Sequence, residues 1–197
     1  MQQQSESPAI AGNDEHRLYR KVVYRIIPFI FVCYVLNYID RVNVSFAKLQ
    51  FQGDLHLSDA SYGLGVGLFY VGYILFEVPS NLVLQKIGAR KTITRIMCLW
   101  GLVSMTMAFV SSPLQFYLAR ILLGAAEAGF FPGVILYLTL WFPDRMRGRI
   151  MSLFVLAIAV SGIVGGPTSG LIMQNLDGFL GFRNWQWLFL IEGIDRI

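Results

Sequence analysis

Apolar residues fall along this chain in long runs with few interruptions, not in the alternation of a water-facing helix or strand. A membrane-crossing helix needs about 20 predominantly apolar residues, and five runs reach that length, over roughly 22–46, 61–84, 93–111, 114–140 and 149–173, each end placed to within about four residues. A sixth opens near Trp185 and covers 185–197. It amounts to about 20 Å of helix against a hydrocarbon thickness of about 30 Å. The pattern predicts an all-α membrane protein: a polar N-terminal tail over 1–21, then a helical bundle over 22–197 whose sixth helix is incomplete.

The polar positions between the runs support this reading. Lys and Arg gather on the cytoplasmic side of membrane helices, and here they alternate from one connection to the next. Arg17, Arg20, Lys21 and Arg25 precede the first run. Lys86, Arg90, Lys91 and Arg95 flank the second connection, and Arg145, Arg147 and Arg149 the fourth. The intervening connections carry little more than Lys48 and Arg183. The N-terminus is therefore expected in the cytoplasm. Ser58 before Asp59 predicts a helix cap, and Pro113 and Pro143 mark chain reversals. A faint repeat is also present: the first and fourth runs hold charges, while the second and fifth hold a glycine series and a proline. Three helices repeated in opposite membrane orientation give that pattern.

Composition narrows the classes further. Hydrophobic residues make up 55% of the chain and charged residues 14%, too few charges for the surface of a soluble domain. The first residues lack the apolar core and small-residue cleavage site of a signal peptide. Cys33 and Cys98 lie in apolar runs without partners for a disulfide framework or metal site, and His16 and His56 have no second ligand at metal spacing. Neither a metal nor a cofactor is implied. The basic residues are dispersed over short loops and not gathered into a patch, so no nucleic-acid partner is expected.

Once the charges near the loops and run ends are set aside, two arginines and two acids remain well inside the first and fourth runs: Asp40, Arg41, Arg120 and Glu127. Each costs about 2.5–3.5 kcal/mol near the middle of a membrane, so they should face a polar interior or one another. Arg120 and Glu127, seven positions apart, fall on one helix face about 10 Å apart. They could share a cavity with the pair on the first run. One reading makes all four structural ion pairs. The other divides roles by chemistry: the planar guanidinium of Arg41 suits a carboxylate, and a carboxyl group removed from water holds its proton more tightly, so Asp40 or Glu127 could exchange a proton. Arg120 would then tune Glu127.

Tyr73 and Glu77 share a face of the second helix. Tyr73 is either a hydrogen-bond donor to a substrate or a packing residue, and Glu77 lies nearer the basic cytoplasmic loops. Gly63–Gly67, "GLGVG", opens an apolar helix and follows no strand, which argues against a nucleotide loop. Gly63 with Gly67, Ala125 with Gly129 and Gly133, and Gly162 with Gly166 and Gly170 are spaced for close helix approach. Pro132 and Pro167 favour bending.

Several stretches carry a resemblance: "NYIDRVN", "EVPSNLVLQKIGARK", "RILLGAAEAGFFPGVILYLTLWFP" with "RMRGR", "GGPTSGLIM" and "WQWLFLIEG". Together they cover nearly all of the chain after residue 30, and they resemble the major facilitator superfamily, within it the anion:cation symporters that carry sugar acids, tartrate and phthalate. The block "GAAEAGFFPG" is specific. The "IGARK" loop departs from the superfamily pattern, with Asn81 and Gln85 where glycine and aspartate are usual, a degeneracy typical of the anion symporters. The resemblance implies that Arg41 and Tyr73 bind a small carboxylate substrate and that Asp40 and Glu127 handle protons. It also implies that Arg120 pairs with Glu127.

Members of that family have twelve spans and bind substrate between two halves. The stretch "IEGIDRI" places Asp195 and Arg196 where apolar helix is expected, so the chain reads as an N-terminal half with a truncated sixth helix. The missing C-terminal half is expected to be needed for transport. The leading expectation is thus part of a proton-coupled organic-anion symporter in a bacterial cytoplasmic membrane, inactive alone. The alternative is a membrane interaction module that binds no solute. An enzyme is disfavoured, because no nucleophile with a nearby base appears.

Overall fold

The computed structural model describes residues 8–195, with side chains from Val23 onward apart from Leu49, Trp141, Asp144 and Arg145. The side chains of His16, Arg17, Arg20, Lys21 and Arg145, and residue Arg196, lie outside the described residues. The described elements are α1 (Pro8–Asp54), α2 (Asp59–Ile87), α3 (Ala89–Met107), α4 (Pro113–Glu127), α5 (Phe130–Trp141), α6 (Asp144–Asn175) and α7 (Asn184–Ile194), with a short 3-10 turn at Phe179–Gly181. Ser58 caps α2 as expected, accepting from the Ser61 amide at 3.1 Å.

Four segments are long and apolar enough to cross a membrane: Val23–Lys48, Asp59–Ile87, Pro113–Leu140 and Met146–Asn175. The third run, expected over about 93–111, is a helix over Ala89–Met107, within about four residues of the expected ends, and is not among these four. Arg90, Lys91 and Arg95 occupy its first two turns and lower its hydropathy. The fourth run, expected as one helix over 114–140, is two helices, α4 and α5, with the chain turning at Ala128 and Gly129. Pro132 has no amide hydrogen to bond Ala128 four positions back, and Gly129 takes a left-handed φ of 85°, a conformation open to glycine at little steric cost. At the N-terminus, α1 runs from Pro8, so the polar segment from that residue onward is helical.

The helices pair in a pattern that respects the expected repeat. α1 packs on α6, α2 on α4, and α3 on α7. Counting α4 and α5 as one span, exchanging the first three spans with the last three leaves this set of pairs unchanged.

Both of the first two pairs are parallel and closely seamed. On α6, Ser161 donates to the carbonyl of Val35 at 3.0 Å and Ser169 donates to Asn43 Oδ1, both at a separation of 126 residues. Between them a Cβ on Gly165 would lie 3.3 Å from Val42. On the other seam, Gly72 sits against the carbonyl of Ile121, and Gly124 against the backbone of Phe69 and Tyr73. The contact residues are thus partly other than those expected from spacing. Gly63, Gly67, Gly162 and Gly170 have nothing within 4 Å of a Cβ, while Gly129 and Gly133 do meet α2, at Ser80 and Leu84.

Aromatic residues fill the interior. Phe51 packs edge-on against Phe116 at 4.9 Å and Trp185 at 5.0 Å, and Trp100, Phe69 and Leu123 are fully enclosed near the middle. The periphery is apolar too: Phe29, Ile74, Leu140 and Ile163 are 65–73% exposed. A bundle that covers itself with such side chains is built for hydrocarbon surroundings.

Candidate functional site

The first turns of the site come from α1. Asn37, Tyr38 and Arg41 lie on neighbouring turns, and spacings of three and four bring side chains together on a helix surface. Arg41 Nη1 donates to Asn37 Oδ1 at 2.8 Å, and its guanidinium carbon lies 4.9 Å from the Tyr38 ring centre. From α4, Glu127 completes the group. Arg41 Nη2 donates to Glu127 Oε1 at 2.6 Å, and Asn37 Nδ2 donates to the same oxygen. Glu127 is 1% exposed, while the Arg41 side chain keeps 27% exposure. The other carboxylate oxygen, Oε2, is buried and accepts no hydrogen bond among the described residues.

These residues form one wall of a cavity of about 340 Å³. Tyr73 from α2 faces it, as do Tyr34, Phe130 from α5, and Met151 and Phe154 from α6. The volume suits a small molecule. Arg41 supplies the positive charge on this wall, Glu127 the negative charge, and aromatic rings most of the remaining surface.

Arg120 and Asp40 stand behind the wall and do not line the cavity. Arg120 is 4% exposed, with its guanidinium carbon 4.8 Å from the Phe69 ring centre. That ring also carries Arg41, at 5.4 Å. Asp40, 1% exposed, acts electrostatically on both arginines. Two acids and two bases thus balance formally within one buried cluster, and Phe69 separates the two cations.

The structure therefore brings Arg41, Glu127 and Tyr73 to one cavity and leaves Asp40 and Arg120 in the layer beneath. The ion pair implied between Arg120 and Glu127 is not the one formed. Glu127 closes the last turn of α4, where the backbone turns away at Ala128, and its carboxylate meets Arg41 of α1. Sequence reasoning did not single out Asn37, Tyr38 or Phe69. Asn37 and Tyr38 were detectable in principle, standing four and three positions before a membrane arginine. Phe69 is one apolar residue among many in α2 and gives no such signal.

The model of the Major Facilitator Superfamily matches residues 30–194. A putative metabolite transport protein, NicT, of Pseudomonas putida is 56% identical over 180 residues, covering 91% of this chain and 41% of that protein. A putative tartrate transporter of Agrobacterium vitis is 50% identical, covering 95% of this chain and 41% of that protein. The chain thus spans about two fifths of the length of the curated relatives it matches. A solved bacterial homologue of the human lysosomal transporter Spinster, inward-facing and unoccupied, superposes with a TM-score of 0.78 at 22% identity. It covers 91% of this chain and 41% of that one, a likeness of fold.

Proposed function

The chain belongs to the Major Facilitator Superfamily, and from that premise we propose that it forms one wall of a proton-coupled symporter for a small organic anion. The observation that carries this reading is the Arg41–Glu127 ion pair, set in a cavity of about 340 Å³. A carboxylate entering the cavity competes with Glu127 for the guanidinium of Arg41, whose fork holds a carboxylate with two parallel bonds. A proton arriving on Glu127 removes the competitor and frees Arg41 for the substrate. Loss of that proton restores the pair and expels the anion. Substrate and proton are in this way held together without a direct contact between them.

Tyr73, which also lines the cavity, donates to a substrate oxygen. Asp40 and Arg120 hold the electrostatic balance of the layer beneath, with Asp40 as a second proton carrier. Alternating access requires a second helical half that rocks against this one, so transport belongs to the complete fold. We place the assembly in a bacterial inner membrane with the N-terminus cytoplasmic, following the alternation of basic loops. The putative tartrate transporter among the relatives supports a carboxylate as the substrate class.

The test is a chimera in which residues 30–194 replace the matching segment of the Agrobacterium vitis protein, reconstituted into vesicles with an imposed proton gradient. Gradient-driven uptake of labelled tartrate or a related sugar acid is expected, with loss in Arg41→Ala. The chain reconstituted alone is expected to give no uptake. Uptake by the chimera that ignores both the gradient and Arg41→Ala overturns the reading.

A further inference from the structure

Apart from the cavity and sharing no lining residue with it, a groove of about 370 Å³ lies between α2, α3 and α4. Phe76, Pro79, Leu99, Val103 and Leu122 make up much of its wall. Phe76, Leu99 and Leu122 are 46–57% exposed, so the groove opens to the bundle's surroundings and is not sealed within it. Its polar lining comes from Ser80 and Arg95 alone among the described residues.

Arg95 is poorly satisfied there. Its Nη2 donates to Ser80 Oγ at 3.4 Å, a long bond, and its Nε is buried without an acceptor among the described residues. Arg95 stands six residues into α3, about 9 Å from the helix start. Lys91, one turn earlier and exposed, shares its face. From this charged end the groove runs eight residues along α3 to Val103, about 12 Å between apolar walls. Two cations at one end of an apolar channel match an anionic head joined to a hydrocarbon chain, and a guanidinium at this depth calls for a counter-charge, while no ion pair to Arg95 forms among the described residues.

We infer that this groove binds an anionic glycerophospholipid, with its phosphate on Arg95 and Lys91 and one acyl chain lying along Phe76, Leu99 and Leu122. The inference requires that the helices lie in a bilayer and does not depend on the transport reading. It also gives the lipid a route to the cavity. Ser80, the present partner of Arg95, is the residue packed against Gly129 at the turn between α4 and α5, two positions after Glu127. A phosphate that draws Arg95 away alters the support of that turn.

The test is native mass spectrometry of the purified chain in detergent, titrated with phosphatidylglycerol or phosphatidylcholine of matched acyl chains. Phosphatidylglycerol is expected to bind about tenfold more tightly, with Arg95→Gln removing the preference. Leu122→Trp, which fills the groove and leaves the charge in place, is expected to weaken both lipids. Circular dichroism checks that each variant keeps its helix content. Equal binding of the two lipids by the unaltered chain overturns the inference, as does a preference indifferent to Arg95→Gln. If glycerol 3-phosphate displaces phosphatidylglycerol at equal concentration, the acyl groove contributes nothing and the lipid assignment fails.

Discussion

Arg41 of α1 and Glu127 at the end of α4, 86 residues apart in the chain, meet at 2.6 Å with Asn37 bonded to both. This contact joins two of the three helix pairs, α1 with α6 and α2 with α4, at the cavity wall, so a change to any of the three residues is felt by both pairs.

Replacing Arg41 by lysine keeps the charge and removes the planar fork. In the chimera, Arg41→Lys is expected to raise the half-saturating carboxylate concentration about tenfold or more, equivalent to about 1.4 kcal/mol. A lysine variant with unchanged half-saturation means that a point charge suffices and that bidentate recognition is absent.

Glu127→Gln leaves a neutral side chain that still accepts from Asn37. Substrate exchange across the membrane at equal pH on both sides is expected to persist, while accumulation driven by a proton gradient is lost. Counterflow and gradient-driven uptake, measured on the same vesicles, separate the two. Retained accumulation moves the proton to another group, with Asp40 the next to test.

Asn37→Ala removes a donor to a buried carboxylate oxygen and an acceptor from Arg41. A loss of about 1–3 kcal/mol in unfolding free energy is expected. A double-mutant cycle with Glu127→Gln should show coupling of at least about 0.5 kcal/mol. Additive effects rule out the three-residue network.

The glycines divide into two groups by what surrounds them. Gly72→Ala and Gly124→Ala force a methyl group against the backbone of the facing helix, and each is expected to cost about 2 kcal/mol or more. Gly63→Ala and Gly162→Ala meet open space in this chain and are expected to be neutral, or stabilising by up to about 1 kcal/mol. Thermal unfolding in one detergent, all four variants side by side, decides whether the observed seams are correct.

Gly129→Ala places a side chain at φ 85° and against Ser80. The left-handed conformation alone costs about 1–2 kcal/mol for an L-residue, so lowered stability is expected. Pro132→Ala restores the missing amide hydrogen and is expected to lengthen α4 at the expense of the turn. Amide exchange around 128–133 reports it as added protection.

Much of this architecture was legible in the sequence because a membrane imposes a length on each helix, and runs of about 20 apolar residues stand out without knowledge of packing. The break in the fourth run was half visible: Pro132 announced a bend, but the turn sits at Ala128 and Gly129, where the orphaned carbonyl and the glycine permit it. Spacing identified small residues four apart but not the helix face that meets a neighbour, since both faces of α6 carry such a series. The contact fell on Ser161, Gly165 and Ser169, one register away from Gly162 and Gly170, which meet nothing, while Gly166 touches only the Phe46 ring. Charge counting placed Asp40, Arg41, Arg120 and Glu127 in the interior. It could not say which partners would meet, because that depends on how α1 and α4 are rotated.

The seam between α1 and α6 fixes a mechanical property of the bundle. Ser161 and Ser169 engage α1 at one constant offset with Gly165 seated between them, like the teeth of a rack, so a slide of even one residue, about 1.5 Å, disengages both hydrogen bonds together. The two helices then travel as a single lever with Arg41 mounted on it. A push anywhere along the lipid-facing flank of α6 reaches the guanidinium with its full stroke, and the ion pair to Glu127 becomes the catch that such a push must trip.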